Sequence, residues 1–364
     1  MKILYITSDF LFNIGGIFQH IENLTHFIAK NHKVIIIYLN KKNKDEVLVD
    51  ENKRKIYFIP NNGSQLVRFL NYPNKRINEI IKMESPDLIH IHTIFDAIRL
   101  NKFKINTVFT NHSSSYLKMY EKIFMRNYIL PKVMKKFKIV ISPSTELFEK
   151  TPHENKFMIP NGVDISRFNL INREQVDKSY ILKKYKINYS NQKIILSTRR
   201  LFDKNGILDF VISNISFFAK NKDFIYLIAG DGEHFQKIRS IIQDNSIDNI
   251  YLLGSLDNKE IDNLYYISDY CVIPSKMEAI SISALESMAS GTIVLANKVG
   301  GLAELIEDNI NGKFLINLSL EKTLNDIDFK NNESLIKKNA LKLVNDNYSW
   351  EKISNETIEL YKNL

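Results

Sequence analysis

Short β-rich runs alternate with helix-length amphipathic runs along the whole chain, and this rhythm constrains the fold more than any other feature. Strands joined through helices favour parallel sheets covered on both faces, because a parallel connection has to cross over the sheet. Residues 194–196 are apolar without alternation, which is typical of such a buried strand. The first half predicts strands at 2–7, 33–39, 55–59, 88–92, 107–110 and 139–141, and helices at 16–31, 65–83 and 116–136.

The second half of the chain repeats this rhythm. It predicts strands at 193–198, 224–229, 250–253, 270–273 and 292–296, and helices at 205–220, 233–243, 258–267, 281–290 and 301–307. The 364 residues are too many for one ordinary domain and suit two domains. The sequence therefore predicts an α/β fold of two doubly wound, Rossmann-like domains that face a central cleft. Ligands of such sheets bind beyond the carboxyl ends of the strands.

A proline and an Asn-Gly pair interrupt the rhythm at residues 160–164, and both break regular structure. A polar and weakly periodic stretch follows as far as residue 192. We therefore predict an N-terminal domain at 1–165 and a C-terminal domain at 166–346.

Composition excludes several classes of protein. The chain is 44% hydrophobic, which is too apolar for a disordered protein. Its single cysteine, Cys271, excludes an intramolecular disulfide framework and a multi-cysteine metal site, and it suits a reducing compartment. The longest apolar run, 34–39, is far shorter than the roughly 20 residues of a spanning helix. Residues 1–9 are too short and too soon polar for a secretory signal. We expect a cytoplasmic protein, either soluble or bound to a membrane surface.

The positive charge is concentrated in the first half. Residues 1–165 hold 25 Lys and Arg against 15 Asp and Glu, whereas residues 166–364 hold 25 against 26. A basic half suits nucleic acid, an anionic membrane or a phosphorylated ligand, although abundant surface lysine is the plainer explanation of a basic chain. Within 116–138, basic and bulky apolar residues suggest an interfacial helix, interrupted or kinked at Pro131. The alternative is a solvated helix that covers the sheet.

Two short motifs follow predicted strands. Gly15 and Gly16 stand between the first strand and its helix, where paired glycines let backbone approach a phosphate. They do not form the dinucleotide-binding fingerprint, and a tight turn explains them as well. Arg199, Arg200 and Lys204 follow the strand at 193–198, and basic residues there suit a diphosphate.

A pair of glutamates gives the strongest signal. Glu278 lies in a loop, and Glu286 lies within the helix predicted at 281–290. The start of that helix, at Ser281–Ser283, can receive a phosphate through its backbone N–H groups. Glu286 can accept hydrogen bonds from ribose hydroxyls, and Glu278 can hold sugar hydroxyls or a developing cation. The neighbouring residues are apolar, and a buried glutamate without a ligand is costly.

The chain resembles the retaining GT-B glycosyltransferases of family 4. Glu278 and Glu286 match the family's E-x7-E signature, and its other elements occur in order over nearly the whole chain. These elements are Gly15-Gly16 with His20, Asn111-His112, residues 160–164, Gly230 within 229–233, Leu253-Gly254, Gly300-Gly301 and residues 348–351. Three departures stand out: Arg199 replaces a glycine, Asn205 replaces the phosphate-binding lysine, and residues 279–281 replace a glycine-aromatic-glycine run.

The resemblance implies an enzyme of the hexosyltransferase type that moves a sugar from a nucleoside diphosphate with retention of configuration. UDP-sugars are the commonest donors in the family. The acceptor would be a glycan or lipid-linked acceptor of a cell-envelope polysaccharide, glycolipid or glycoprotein glycan. The N-terminal domain would bind this acceptor, and a final helix at 347–364 would cross back onto it. The resemblance implies no metal, no cofactor and no protein nucleophile.

The resemblance also assigns roles to individual residues. It implies a donor-sugar contact for Glu278, a place beside the sugar hydroxyls for His112, and a diphosphate contact for Arg200. The other implied donor-binding residues are Gly15, Gly16, Arg199, Lys204, Gly230, Leu253, Ser281, Ile282, Ser283 and Glu286.

Other classes of protein fit the sequence less well. A catalytically silent GT-B protein could bind a partner protein or a glycan, but the retained Glu278, Glu286 and Arg200 argue against it. The chain lacks the aromatic-rich basic motifs of RNA-binding modules and the dinucleotide fingerprint of dehydrogenases. We interpret Asp326-Ile327-Asp328 as surface residues rather than as the metal-binding triplet of another transferase fold. For His90 and His92, packing at a strand end is favoured over ligand binding.

Overall fold

The computed structural model describes residues 1–8, 16–40, 45–112, 114–278 and 281–364, so Gly15, Ala279 and Ile280 lie outside the described residues. Within these ranges the chain divides into two compact units. The N-terminal unit comprises Met1–Gly162 together with Trp350–Leu364, and the C-terminal unit comprises Val163–Ser349.

The N-terminal unit is built on one sheet. Its strands are β1 (Lys2–Thr7), β2 (Lys33–Asn40), β3 (Glu46–Val49), β4 (Lys55–Pro60), β5 (Leu88–Ile91), β6 (Asn106–Thr110), β7 (Ile139–Ser142) and β8 (Lys156–Met158). They lie in the order β3-β4-β2-β1-β5-β6-β7-β8, and every neighbouring pair is parallel except β3 and β4. The run from β4 to β7 has the doubly wound order, which reverses direction between β1 and β5.

Helices connect these strands. They are α1 (Gly16–Ala29), α2 (Gln65–Leu70), α3 (Asn74–Glu84), α4 (Ile94–Arg99), α5 (Ser114–Tyr120), α6 (Leu130–Met134) and α7 (Thr145–Lys150), with a π-helical turn at Met125–Ile129.

Two long helices predicted in this half were wrong. The helix predicted at 65–83 is two helices separated at Pro73, because proline lacks the backbone N–H of a helix interior and disfavours a helical residue before it. The helix predicted at 116–136 ends first at Tyr120 and resumes as the π-helical turn and α6, with Pro131 in the first turn of α6.

The C-terminal unit is built on a wholly parallel sheet. Its strands are β9 (Lys193–Thr198), β10 (Phe224–Ala229), β11 (Ile250–Gly254), β12 (Tyr270–Ile273), β13 (Ile293–Ala296) and β14 (Lys313–Phe314). They lie in the order β11-β10-β9-β12-β13-β14, the dinucleotide-fold order with its reversal between β9 and β12. The predicted fold class, two parallel-dominated α/β sheets, is confirmed.

The helices of this unit are α8 (Leu170–Glu174), α9 (Lys178–Lys184), α10 (Ile207–Lys220), α11 (Phe235–Asp244), α12 (Asn258–Ile267), α13 (Ile282–Ala289), α14 (Gly300–Leu305), α15 (Leu320–Leu324) and α16 (Ile327–Asn347), with a 3₁₀ turn at Asp203–Asn205. The sequence missed α16, whose buried side chains form a narrow stripe among polar residues. Asp326 caps this helix by accepting the Phe329 N–H at 2.9 Å, while Asp328 is exposed.

The last helix, α17 (Trp350–Lys362), packs within the N-terminal unit. Trp350 is buried against Gly162, where an added Cβ would lie 2.7 Å from the indole ring. Glycine at this position therefore lets the tryptophan anchor the end of the chain.

Among the residues that the structure describes, no helix combines the length and the apolar character needed to cross a bilayer.

Candidate functional site

The predicted donor-binding residues of the C-terminal unit follow neighbouring strands of one sheet. Arg199 and Arg200 come directly after β9, Gly230 comes after β10, and Leu253 lies at the end of β11. Glu278 lies in the loop between β12 and α13. Because the carboxyl ends of parallel strands share one edge, these residues belong to the same edge of the sheet, where open α/β sheets bind their ligands.

Glu278 is paired with Arg199. The Nη2 atom of Arg199 forms an ion pair with the Glu278 carboxylate and donates a hydrogen bond of 2.7 Å to Ser275 Oγ. The two side chains are only 13% and 15% exposed. The charge of Glu278 is therefore balanced inside the protein, and the Arg199 guanidinium is engaged before any diphosphate arrives.

Arg200 has a different environment from Arg199. Its side chain is exposed, and among the described residues no carboxylate lies within ion-pair distance of it. Lys204 is exposed as well. Asn205, which stands where the family has a lysine, is buried and donates to the Arg200 carbonyl at 2.5 Å. Asn205 thus shapes the loop, and the exposed positive charges on it come from Arg200 and Lys204.

Two glycines permit close backbone contacts in this site. Gly230 has a φ of +154°, and an added Cβ would lie 2.0 Å from the Arg199 carbonyl oxygen. Gly300 has a φ of +44°, and an added Cβ would lie 1.9 Å from the Glu278 carbonyl oxygen. Any larger residue would displace the segments that carry the ion pair, so these positions require glycine.

The amino terminus of α13 lies beside the ion pair. Ser281 is its N-cap residue, and the Ser281 hydroxyl accepts the Ala284 N–H at 3.3 Å and an Arg199 hydrogen bond at 3.4 Å. Ile282 and Ser283 are the first two residues of the helix, where backbone N–H groups have no intrahelical acceptor. These N–H groups and the positive end of the helix dipole can receive an anion.

Glu286 lies farther along α13 and is half-buried. Burial raises the pKa of its carboxyl to about 7, although the nearby Arg167 guanidinium and a hydrogen bond from Tyr265 both act to lower it. Arg167 is itself paired with Asp262, its Nε lying 2.6 Å from Oδ2. The Glu286 carboxyl therefore ionises at a higher pH than an ordinary glutamate, and its ionised form can accept hydrogen bonds from hydroxyl groups.

The predicted site residues of the N-terminal unit lie at the carboxyl edge of the other sheet. Gly16 is the exposed first residue of α1, and an added Cβ there would meet nothing within 4 Å. His112 follows β6 and lies close to His20 and His92, which together we call the histidine cluster. The Nε2 atom of His112 is 3.1 Å from Nδ1 of His92, and the rings of His20 and His112 are 4.2 Å apart between centroids.

The histidine cluster is uncharged at neutral pH. Burial lowers the pKa of His20 to about 4 and holds the pKa values of His92 and His112 well below the usual range for histidine. His90 packs at the strand end, with Tyr361 and Thr110 hydroxyls each 2.6 Å from one of its ring nitrogens.

Sequence reasoning missed three side chains that contact the predicted residues or act on them electrostatically. Ser275 accepts a hydrogen bond from Arg199. A hydrogen bond from Tyr265 and the positive charge of Arg167 both lower the pKa of Glu286. Ser275 directly follows the proline after β12, so its place beyond a strand end was a usable signal. Tyr265 occupies an apolar position of the helix predicted at 258–267, so the sequence indicated only a core residue there. Arg167 lies in a stretch with weak hydrophobic periodicity.

Each half of the chain matches a family model of known proteins. Residues 181–339 match the family model described as "Glycosyl transferases group 1". Residues 14–167 match the model described as "Glycosyltransferase Family 4".

Individual relatives cover nearly the whole chain. An uncharacterized glycosyltransferase of Methanocaldococcus jannaschii is 27% identical over 380 residues, which span 100% of this chain and 99% of the relative. A component of the human phosphatidylinositol N-acetylglucosaminyltransferase is 24% identical over 383 residues, spanning 98% of this chain and 75% of the relative. The structure of Anabaena HepE in complex with UDP and glucose has a TM-score of 0.78 at 16% identity, with 100% of each chain covered.

Proposed function

Since this chain belongs to the group 1, family 4 glycosyltransferases, we propose that it transfers a sugar from a UDP-sugar to a glycan or lipid-linked acceptor with retention of configuration. One observation carries the proposal: exposed Arg200 and the start of α13 lie at the carboxyl edge of the C-terminal sheet, and half-buried Glu286 follows within the same helix. UDP in the HepE structure supports a uridine donor. The name of the human relative, which specifies transfer to phosphatidylinositol, supports a lipid-linked acceptor.

The proposed donor contacts follow from the chemistry of these groups. The ionised Glu286 carboxylate accepts hydrogen bonds from the two ribose hydroxyls. The N–H groups of Ile282 and Ser283 and the guanidinium of Arg200 take the diphosphate, with Lys204 as a second cation. This arrangement neutralises the diphosphate without a divalent cation, so we propose that transfer needs no added Mg²⁺ or Mn²⁺.

The proposed chemical step takes place at the anomeric carbon. The bond from this carbon to the diphosphate oxygen breaks, and its electron pair leaves with the phosphate. The acceptor oxygen bonds to the same face of the sugar, and its proton passes to an oxygen of the leaving diphosphate. Arg200 and the helix N–H groups stabilise the charge that develops there. The ion pair with Arg199 orients the Glu278 carboxylate to accept sugar hydroxyls. The roles of Gly16, His112, Gly230 and Leu253 stay predictions from the resemblance.

The donor proposal can be tested by thermal shift. A UDP-sugar at 100 times its Kd should stabilise the wild-type protein by about 2.7 kcal/mol and raise its Tm. Arg200→Ala should weaken donor binding about 10- to 100-fold, because a charge-assisted hydrogen bond is lost. The measurement is the Tm with UDP-, GDP-, ADP- and dTDP-sugars.

Lys220→Ala provides the matched control, since Lys220 is an exposed cation at the far end of α10. This variant should keep the wild-type shift. If none of the four donors raises the wild-type Tm, the donor proposal is wrong. If the donor raises the Tm of Arg200→Ala as much as that of the wild type, only the proposed role of Arg200 is wrong.

A basic, apolar surface of the N-terminal unit supports a membrane-borne acceptor. Ile123, Phe124 and Tyr128 are 67%, 63% and 66% exposed between α5 and α6. Lys122 and Arg126 are exposed beside them. Apolar side chains flanked by cations suit the headgroup region of an anionic bilayer. We propose that this surface holds the protein peripherally on such a membrane, at the cytoplasmic face.

Ile123→Asp should reduce sedimentation with anionic vesicles about tenfold, because an inserted isoleucine contributes about 1.5–3 kcal/mol. The assay compares phosphatidylcholine vesicles with vesicles that also contain phosphatidylglycerol. Ile171→Asp is the control, since Ile171 is 68% exposed but lies in the C-terminal unit. Equal binding to neutral and anionic vesicles, or no effect of Ile123→Asp, would contradict membrane binding through this surface.

A further inference from the structure

The histidine cluster has the composition of a metal site. One ring nitrogen from each of His20, His92 and His112 lies within 4.8 Å of the other two, and His20 and His92 are buried. The pairing of β5 with β6 brings His92 and His112 together, and α1 places His20 against them. His90 lies outside this ligand set because both of its ring nitrogens have hydroxyl partners.

His20 has one nitrogen oriented as in metal-binding histidines. Its Nδ1 lies 2.8 Å from Asn161 Oδ1. An amide oxygen can only accept a hydrogen bond, so Nδ1 carries the proton and Nε2 carries the lone pair. Nε2 is buried and has no hydrogen-bond partner among the described residues. Metal-binding histidines commonly donate their second ring N–H to an oxygen in this way, which fixes the tautomer and the ring orientation.

The ring nitrogen of His92 that faces His112 is Nδ1. The Nε2 atom of His92 is buried without a partner in the described part of the chain. His92 Nδ1 lies 3.1 Å from His112 Nε2. Two imidazole nitrogens bound to one tetrahedral ion at 2.0–2.1 Å are about 3.3 Å apart. The distance from His92 Nδ1 to His112 Nε2 is therefore close to what a shared ion requires, so Nδ1 is the ring nitrogen of His92 in the proposed ligand set.

We propose that the histidine cluster binds one late first-row transition-metal ion through a single ring nitrogen of each of His20, His92 and His112. Imidazole ligands suit Zn²⁺, Co²⁺, Ni²⁺ and Cu²⁺, whereas Mg²⁺ and Mn²⁺ prefer oxygen ligands. Three protein ligands leave one tetrahedral position open for water or for an oxygen atom of a bound molecule. This metal site shares no residue with the proposed diphosphate and ribose contacts, which use the C-terminal unit, but it includes His112, for which the resemblance implies a place beside the donor-sugar hydroxyls.

Trp350 supplies the readout. It is the single tryptophan of the chain, it is buried, and its ring lies 5.1 Å from that of His20 between centroids. Titrating the full chain with Co²⁺ should quench Trp350 fluorescence until one equivalent is bound. The visible absorption bands of tetrahedral Co²⁺ should appear with the same stoichiometry, and one equivalent of Zn²⁺ should abolish them.

Three variants and a control locate the site. His92→Gln and His112→Gln should each weaken Co²⁺ binding about 100-fold or more, and Asn161→Ala should weaken it about 10- to 100-fold through His20. His26→Gln, a change in α1 outside the histidine cluster, should leave Co²⁺ binding unchanged. Circular dichroism checks that each variant folds, and His112→Gln decides the question if His92→Gln does not fold, since His112 is only half-buried.

Two results would overturn the proposal. One is a wild-type protein whose fluorescence and visible spectrum do not respond to Co²⁺. The other is a Co²⁺ affinity that survives in His112→Gln. Neither result would alter the donor-induced Tm shift, so failure of the metal site and failure of the donor proposal are distinguishable.

Discussion

Replacing Glu286 with glutamine is expected to weaken UDP-sugar binding about 10- to 100-fold while the protein stays folded. The carboxylate is proposed to accept both ribose hydroxyls, and hydrogen bonds to a charged group contribute about 1.5–3 kcal/mol. An amide of the same shape keeps one acceptor and loses the charge. Glu286→Ala is expected to lose activity in the same way. Calorimetric titration with UDP gives the affinity, and kcat/KM with a UDP-sugar gives the effect on the reaction.

Glu321→Gln is the control, because Glu321 is an exposed glutamate in α15 of the same unit. It should bind UDP as the wild type does. Wild-type affinity in Glu286→Gln would remove the proposed ribose contact.

Because the pKa of Glu286 is raised, Glu286→Gln should also change how donor affinity and stability depend on pH. Because the carboxyl has a pKa of about 7 in the folded protein, donor affinity should rise as pH increases through 7. The ordinary value for glutamate, about 4.3, applies to the unfolded chain. The folded state thus holds this proton more tightly, and its stabilising contribution is present at low pH and is lost as pH rises from about 4.3 to 7.

In the wild type, donor affinity should rise with increasing pH while the stabilising contribution of the Glu286 proton is lost. Both pH dependences should disappear in Glu286→Gln. The Tm of the variant relative to wild type should therefore increase between about pH 4.3 and pH 7. Its donor affinity should lose the rise through pH 7. A variant that keeps the wild-type pH profile of binding would show that another group titrates there.

Arg199→Met is expected to destabilise the C-terminal unit by about 3 kcal/mol, because it leaves the Glu278 carboxylate without its partner in a largely buried site. For a unit of this size the loss corresponds to a fall in Tm of about 6–12 °C. The double variant Arg199→Met/Glu278→Gln removes both charges and should recover most of the lost stability. Activity should stay low in the double variant, since the proposed sugar contact of Glu278 is gone.

The exposed pair of Lys222 and Asp248 provides the comparison. Their side chains are 53% and 75% exposed, so Lys222→Met should cost at most about 1 kcal/mol. Thermal and urea unfolding measure each variant. Equal losses in Arg199→Met and Lys222→Met would show that the Arg199–Glu278 pair is not a buried interaction, and full activity in the double variant would exclude a role for Glu278.

Local patterns predicted much of the C-terminal sheet. The observed ends of β9, β10 and β12 are those that the apolar runs indicate, because a strand buried on both faces is a continuous apolar segment bounded by polar residues. The same reasoning did not detect β14 or α16. A strand of two residues has no pattern of its own, and α16 hides its buried stripe among lysines and asparagines.

The order of motifs was also a property of the sequence. Glu278, Glu286 and the Arg199-Arg200 pair were recognisable from their spacing after strands. The sequence did not predict which arginine pairs with Glu278, because Arg199 and Arg200 are adjacent residues of the same type. The folded loop decided that Arg199 pairs with Glu278 and that Arg200 is exposed. It also decided that Asn205 hydrogen-bonds to the backbone of that loop.

The sequence by itself therefore determined the α/β class, the repeated rhythm of strands and helices, and the residue types at the strand ends. Only the tertiary structure decided that His20, His92 and His112 form one cluster with two buried, unpartnered nitrogens among the described residues. The reason is physical. Hydrophobic periodicity is set by neighbours along the chain, whereas these histidines meet through the pairing of β5 with β6 and the packing of α1, which join residues far apart in sequence.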